Sequence, residues 1–132
     1  MDGASSTDWI GTQGTHHFIG NRWTADIGGQ SLDVTDPSDG RPFAKVARGT
    51  MLDIDDAVMA ARGAWDEGRG DWGRLSATER GRLLMKLAQR VLDRAEELAL
   101  LEARCTGKPL KQARVDAAAL ARYFEYYAGA AD

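Results

Sequence analysis

Cysteine is scarce in this chain: Cys105 stands alone among 132 residues. No internal disulfide framework can form from it, and the count suits a reducing compartment, so the cytoplasm is the expected location. Two histidines, His16 and His17, together with that thiol are too few for an ordinary His/Cys zinc site. No apolar run reaches the ~18 residues of a transmembrane helix, so no membrane partner is expected. The opening MDGASSTDWIGTQG has no basic stretch followed by an apolar one, and no secretory signal is read there. Positive charge is not in excess either. Seventeen basic residues stand against 20 acidic ones, a net −3, which disfavours nucleic acid as a partner through a basic surface.

What remains is ordinary for a globular chain: 43% hydrophobic and 28% charged residues in 14.3 kDa. That is one domain by length, or a piece of a larger one. Residues 1–15 are polar and rich in Gly, Ser and Thr, and are expected to be disordered. Apolar Phe18, Ile19 and Trp23 then flank Gly20-Asn21, a pair suited to the positive φ angles of a two-residue hairpin turn. Two further extended runs flank Pro37-Ser38-Asp39-Gly40, where Pro presets one turn angle and Gly accepts the left-handed one. Residues 16–49 therefore read as two β-hairpins.

From Thr50 the period becomes helical. Thr50 and Asp53 make a T-x-x-D start, and Ile54, Val58, Ala61 and Trp65 fall on one face of a helix over 51–67. Gly68, Gly70 and Gly73 stop it. Ser76 and Glu79 open a second helix, 77–105, with a capping box. Its stripe is Leu84, Leu87, Val91, Ala95, Leu98, Leu101 and Cys105, and Gly107 and Pro109 end it. A third helix, 110–128, carries Ala113, Ala117, Leu120, Phe124 and Tyr127. Two hairpins make a poor sheet, and long single-stripe helices need something to lie on.

Candidate chemistry is thin. Cys105 is the one possible thiolate nucleophile, but its place in an apolar stripe reads as packing. Adjacent His16 and His17 point to opposite faces of a strand and cannot easily chelate together. The G-R-G-D-W-G cluster at 68–73 follows a helix, whereas a dinucleotide loop follows a strand, so it reads as a helix–helix connection. Thr106-Gly107-Lys108 lacks the upstream glycine and strand of a phosphate loop. The aromatics Trp65, Trp72, Tyr123, Phe124, Tyr126 and Tyr127 read as packing or subunit contact. The residues alone give an α+β segment with no assembled active site.

Several phrases, in order, resemble the aldehyde dehydrogenase family. F-I-G-N-R-W (18–23) is similar to that family's "FINGEW", and V-T-D-P-S-D-G (34–40) to its "V-x-N-P-x-T-G". E-R-G-R-L-L-M-K-L-A (79–88) resembles its second helix. E-E-L-A-L-L-E-A-R-C-T-G-K-P-L (96–110) resembles "ELAxLExxxxGKPL", and R-Y-F-E-Y-Y-A-G-A-A-D (122–132) resembles "xRYYAGWAD". The resemblance covers residues 17–132 and roughly the first quarter of the family.

The resemblance implies an α/β fold: two N-terminal β-hairpins followed by three α-helices, with the Rossmann core absent from this chain. Residues 16–132 would be the N-terminal part of a cofactor-binding domain. It implies oxidation of aldehydes to acids with NAD or NADP, through a cysteine thiolate, a glutamate base and an oxyanion-hole asparagine that have no counterpart here. Cys105 matches a helix-end position rather than the nucleophile. No cofactor and no activity are expected of the chain alone. Some members hold a monovalent cation on backbone carbonyls that match Val34 and Thr35, and their acidic partner aligns with Cys105. The third helix lines an aldehyde tunnel in the family, which points to Ala119, with Leu120 and Tyr123 nearby. The partner expected is the remainder of a dehydrogenase or a paralogous subunit, and a homo-oligomer is expected at full length. The stop at Asp132 reads as a truncation, an interrupted frame or a gene boundary. The competing expectation is a stand-alone helical interaction module that binds a full-length paralogue or itself. An unrelated small enzyme using Cys105 is the third reading.

Overall fold

The computed structural model describes residues 15–25 and 27–131. The stretch 1–15, expected to be disordered, lies outside them apart from Thr15. The chain divides into two units, one up to Gly70 and one from Asp71 onward.

In the first unit, β1 (His16–Ile19) and β2 (Arg22–Ala25) pair antiparallel, with His16 opposite Ala25 and Ile19 opposite Arg22. Gly20 and Asn21 hold φ of 59° and 63°, the turn whose twist suits the flanking strands. Phe18 and Trp23 meet across this hairpin edge to face, with ring centroids 5.2 Å apart. β3 (Ser31–Thr35) and β4 (Pro42–Ala47) form a second, separate hairpin. Asp36 ties its turn: Oδ1 accepts from the Ser38 N–H at 2.9 Å and the Ser38 hydroxyl at 2.6 Å. Gly40, at φ 72°, donates its N–H to the Asp36 carbonyl at 2.8 Å. Phe43 is skipped by the register, because Val34 faces Ala44 while Thr35 faces Pro42.

The first helix, α1 (Met51–Trp65), starts on the capping box read from the sequence. The Thr50 N–H donates to Asp53 Oδ2 at 2.8 Å, and the Asp53 N–H donates to the Thr50 hydroxyl at 3.4 Å. Its inward face is not the expected one. Ile54, Val58, Ala61 and Trp65 are all exposed, whereas Asp53 is buried and Ala60 half-buried. The Ile27 N–H donates to Asp53 Oδ1 at 3.3 Å, and Ala60 approaches Gly20, which turns the helix by one residue, about 100°. His16 is exposed, but His17 is half-buried, its ring 3.5 Å from where a Cβ on Gly49 would stand. A 3-10 turn, Asp66–Gly68, follows α1.

The second unit is helical: α2 (Ala77–Asp93), α3 (Ala95–Thr106) and α4 (Leu110–Gly129). α2 begins on the Ser76–Glu79 capping box, with the Ser76 N–H donating to Glu79 Oε2 at 2.8 Å. The single helix expected over 77–105 is two, divided at Arg94, whose φ of −118° and ψ of 18° are not helical. The flanking side chains serve different helices. Asp93 accepts from Gln89 within α2, and Arg94 grips Glu97 of α3 through Nε at 2.8 Å and Nη2 at 2.6 Å. A one-residue break leaves the three-and-four apolar spacing intact, which is why periodicity does not reveal it.

The core of this unit is made of methyl groups. Ala99, Ala113 and Ala117 form its centre, with Ala95, Leu98, Ala103 and Leu110 packed around them. Ala88, Val91, Ala121 and Ala128 are also buried. On α4 the buried line runs Ala113, Ala117, Ala121, Ala128, so Leu120 and Tyr127, expected inward, lie exposed. Leu87 and Cys105 are exposed too, against the expected packing of both. The helices approach too closely for larger groups at the seam, and large side chains are pushed to its flanks. No helix among the described residues is long and apolar enough to cross a membrane.

Candidate functional site

α3 ends at Gly107, which takes the left-handed φ of 72° and donates its N–H to the Ala103 carbonyl at 2.9 Å. Pro109 cannot extend that helix, and it opens α4 instead. The connection between the two is therefore only Gly107-Lys108-Pro109. α3 and α4 pack together as a helical hairpin. Beside the turn, their side chains leave a groove of about 580 Å³.

Its apolar lining comes from Leu98 and Leu101 of α3 and from Ala117, Ala119, Leu120 and Tyr123 of α4. Ala119, Leu120 and Tyr123, the three positions named for the aldehyde tunnel, thus lie on one surface. The polar lining is an ion cluster. Lys108 Nζ donates to Glu102 Oε1 at 2.6 Å and to Asp116 Oδ2 at 2.5 Å. Asp116 Oδ1 also accepts from Gln112 Nε2 at 3.0 Å. The three side chains are about one-third exposed, so water screens them only in part. Asp116 first, then Glu102, holds the Lys108 ammonium above its ordinary pKa, and Lys108 holds the Asp116 carboxyl below its own.

A second tie joins the same helices. Arg114 grips Glu96 through Nε at 2.9 Å and Nη2 at 2.7 Å, but it is exposed and does not line the groove. The groove carries no thiol, imidazole or hydroxyl nucleophile besides the Tyr123 phenol. Its apolar walls can receive an apolar group. Sequence reasoning missed the ion cluster. Its trace was there, in a lysine between two helix-ending residues with a carboxylate six residues before and eight after.

The other candidate positions do not line this groove. Val34 and Thr35 belong to the first unit, at the register shift opposite Pro42, a residue with no N–H to donate. Cys105 belongs to the second. No group of three His, Cys, Asp or Glu side chains among the described residues is placed to hold a metal ion. Among the described residues of the first unit one carboxylate is buried, Asp53. The Thr50 hydroxyl and N–H, followed by the Ile27 N–H, pull it down to a pKa of about 2. Those bonds join the β2–β3 connection to the start of α1, a structural task.

Residues 23–132 match the Aldehyde dehydrogenase family. This chain belongs to that family. It is 43% identical over 116 residues to the NADP/NAD-dependent aldehyde dehydrogenase PuuC of Escherichia coli, covering 87% of this chain and 23% of that protein. It is 37% identical over 115 residues to the betaine aldehyde dehydrogenase of Bacillus subtilis, again covering 87% and 23%. Among solved structures, one assigned to an aldehyde dehydrogenase from Burkholderia cenocepacia superposes with a TM-score of 0.83 at 62% identity, covering 87% of this chain and 24% of that one. Betaine aldehyde dehydrogenase from Staphylococcus aureus, in complex with NAD+, gives 0.84 at 26% identity, covering 97% and 25%.

This dehydrogenase segment thus spans about a quarter of the length of the relatives it matches, and it corresponds to their N-terminal part. The α/β segment expected from the resemblance is the one observed, with four helices in place of three. None of the comparisons supports the stand-alone interaction module.

Proposed function

We propose that this chain is the N-terminal portion of an NAD(P)-dependent aldehyde dehydrogenase, which converts an aldehyde to a carboxylic acid, and that it is inactive alone. The supporting observation is the family match over residues 23–132, in a chain that spans about a quarter of its relatives' length. Its role in the whole enzyme is structural, with Ala119, Leu120 and Tyr123 contributing part of the aldehyde passage. The described residues do not fit the nicotinamide cofactor. Their strands are all antiparallel, the 68–73 glycines follow a helix, and β4 leads into α1 through Arg48-Gly49-Thr50, one glycine where a pyrophosphate loop carries three.

The partner proposed is the remainder of the dehydrogenase, within a cytoplasmic homo-oligomer. Leu83, Met85, Leu87, Tyr126 and Tyr127 are exposed here, apolar side chains that the remainder of the protein would cover. The monovalent-cation role of the Val34 and Thr35 carbonyls is proposed only as weak binding. A register shift is where carbonyls leave a ladder, which is what supports that role.

The test is to assay the 132-residue chain and the complete enzyme side by side, with NAD and NADP and a panel of aldehydes. Reduced nicotinamide should accumulate with the complete enzyme alone. Turnover by the short chain, abolished by Cys105→Ser, would overturn the reading.

A further inference from the structure

We propose that Lys108 is a positioning residue: by clipping Glu102 of α3 to Asp116 of α4, it sets the separation of the groove's two walls and hence the width open to an aldehyde side chain. This rests on the reading of that groove as part of the aldehyde passage.

The lysine is held on a stiff support. Gly107 and Pro109 flank it, and its N–H donates to the Thr106 hydroxyl at 3.3 Å, so the ammonium projects from a fixed turn. Its partners sit on the walls themselves. Glu102 is four residues after Leu98, and Asp116 is three and four before Ala119 and Leu120, the spacings that share a helix face. The seam behind them is alanine, while Leu120 and Tyr123 are exposed. Remove the ammonium and two carboxylates face each other across the groove without a cation between them. Like charges repel, so the walls should move apart. Arg114–Glu96 spans the same helices outside the groove, which makes it the natural control.

The experiment compares propanal and benzaldehyde as substrates of the complete dehydrogenase carrying this segment. In Lys108→Met the benzaldehyde-to-propanal ratio of kcat/KM should rise about tenfold, the scale set by a methylene's worth of pocket, with the change carried in KM. Lys108→Arg, which keeps the charge, should stay within about twofold of the parent, and so should Arg114→Met. Should Lys108→Met fail to fold, Lys108→Gln replaces it, with the same expected rise of about tenfold. An unchanged ratio in the folded variant, or an equal rise in Arg114→Met, overturns the proposal. Ala119→Leu separates the two layers of inference, because a filled groove should lower the ratio whatever Lys108 does. If it lowers the ratio while Lys108→Met leaves it alone, the clip is wrong and the groove stands. If Ala119→Leu has no effect, the groove reading fails and the clip with it.

Discussion

Gly81 of α2 faces the carbonyl of Ala128 in α4 so closely that a Cβ on it would lie 2.6 Å from that oxygen. Alanine in a helix interior ordinarily gains about 1 kcal/mol over glycine. Here the gain meets a backbone atom that cannot swing away, and overpacking of that kind costs about 1–3 kcal/mol. Gly81→Ala should therefore lower the thermal midpoint of the chain. A raised midpoint would show that α2 and α4 are not in contact at this point.

Two glycines near the end of α1 should respond in opposite ways. A Cβ on Gly63 meets nothing within 4 Å, so Gly63→Ala should stabilise the helix by roughly 0.5–1 kcal/mol. A Cβ on Gly70 would lie 2.1 Å from the Ala64 carbonyl oxygen, inside the turn closed by the Gly70 N–H on Trp65. Gly70→Ala should destabilise the first unit. Chemical denaturation of both variants checks the pair, and equal shifts would contradict the geometry.

The capping box of α1 predicts a dependence on acid. Thr50→Ala should cost about 1 kcal/mol, the usual worth of an N-cap hydroxyl. Asp53 titrates at about 2 in the folded chain, against about 3.9 for an ordinary aspartate. A depressed folded pKa adds stability above the unfolded value, and that stability is lost as pH falls through the folded one. The parent should therefore lose its advantage over Asp53→Asn between about pH 4 and pH 2. A gap in melting temperature that stays constant across that window would remove Asp53 from the account.

Exposed and buried apolar positions of the helical unit should separate cleanly. Leu87 is 43% exposed, so Leu87→Gln should change the stability of this chain by no more than about 0.5 kcal/mol. Ala117, 4% exposed in the alanine seam, should not tolerate leucine, at a cost of about 1–3 kcal/mol. In the complete dehydrogenase Leu87→Gln should cost several-fold more, because the rest of the protein is proposed to cover it. Equal effects of Leu87→Gln in the two settings would argue that nothing covers that face.

Local features were open to reading from the residues. Gly20-Asn21 could hardly be anything but a tight turn, because both φ angles are positive. Thr50 with Asp53, and Ser76 with Glu79, declared their helix starts through side chains that bond within three residues. Gly107 and Pro109 marked the α3–α4 boundary for equally local reasons. Of the groove, Ala119, Leu120 and Tyr123 came from family resemblance. Lys108, Glu102 and Asp116 did not, since their meeting depends on how α3 and α4 lie together.

The sequence by itself determined where strands turn and where the helices after Thr50, Ser76 and Pro109 begin, because those events are settled among neighbours a few residues apart; the break at Arg94 was not among them. It also determined membership in the family, through ordered phrases along most of its length. Only the tertiary structure decided which members of the apolar stripes lie inside: Val91, Ala113 and Ala117 do, and several others do not. Ile54, Val58 and Trp65 made the obvious apolar stripe of α1, yet Asp53 and Ala60 face inward, held by Ile27 and Gly20 from distant parts of the chain. Likewise Ala121 and Ala128, not Leu120 and Tyr127, line the α4 seam. Hydrophobicity ranks side chains by their cost in water, but the distance between two backbones determines which of them can fit between.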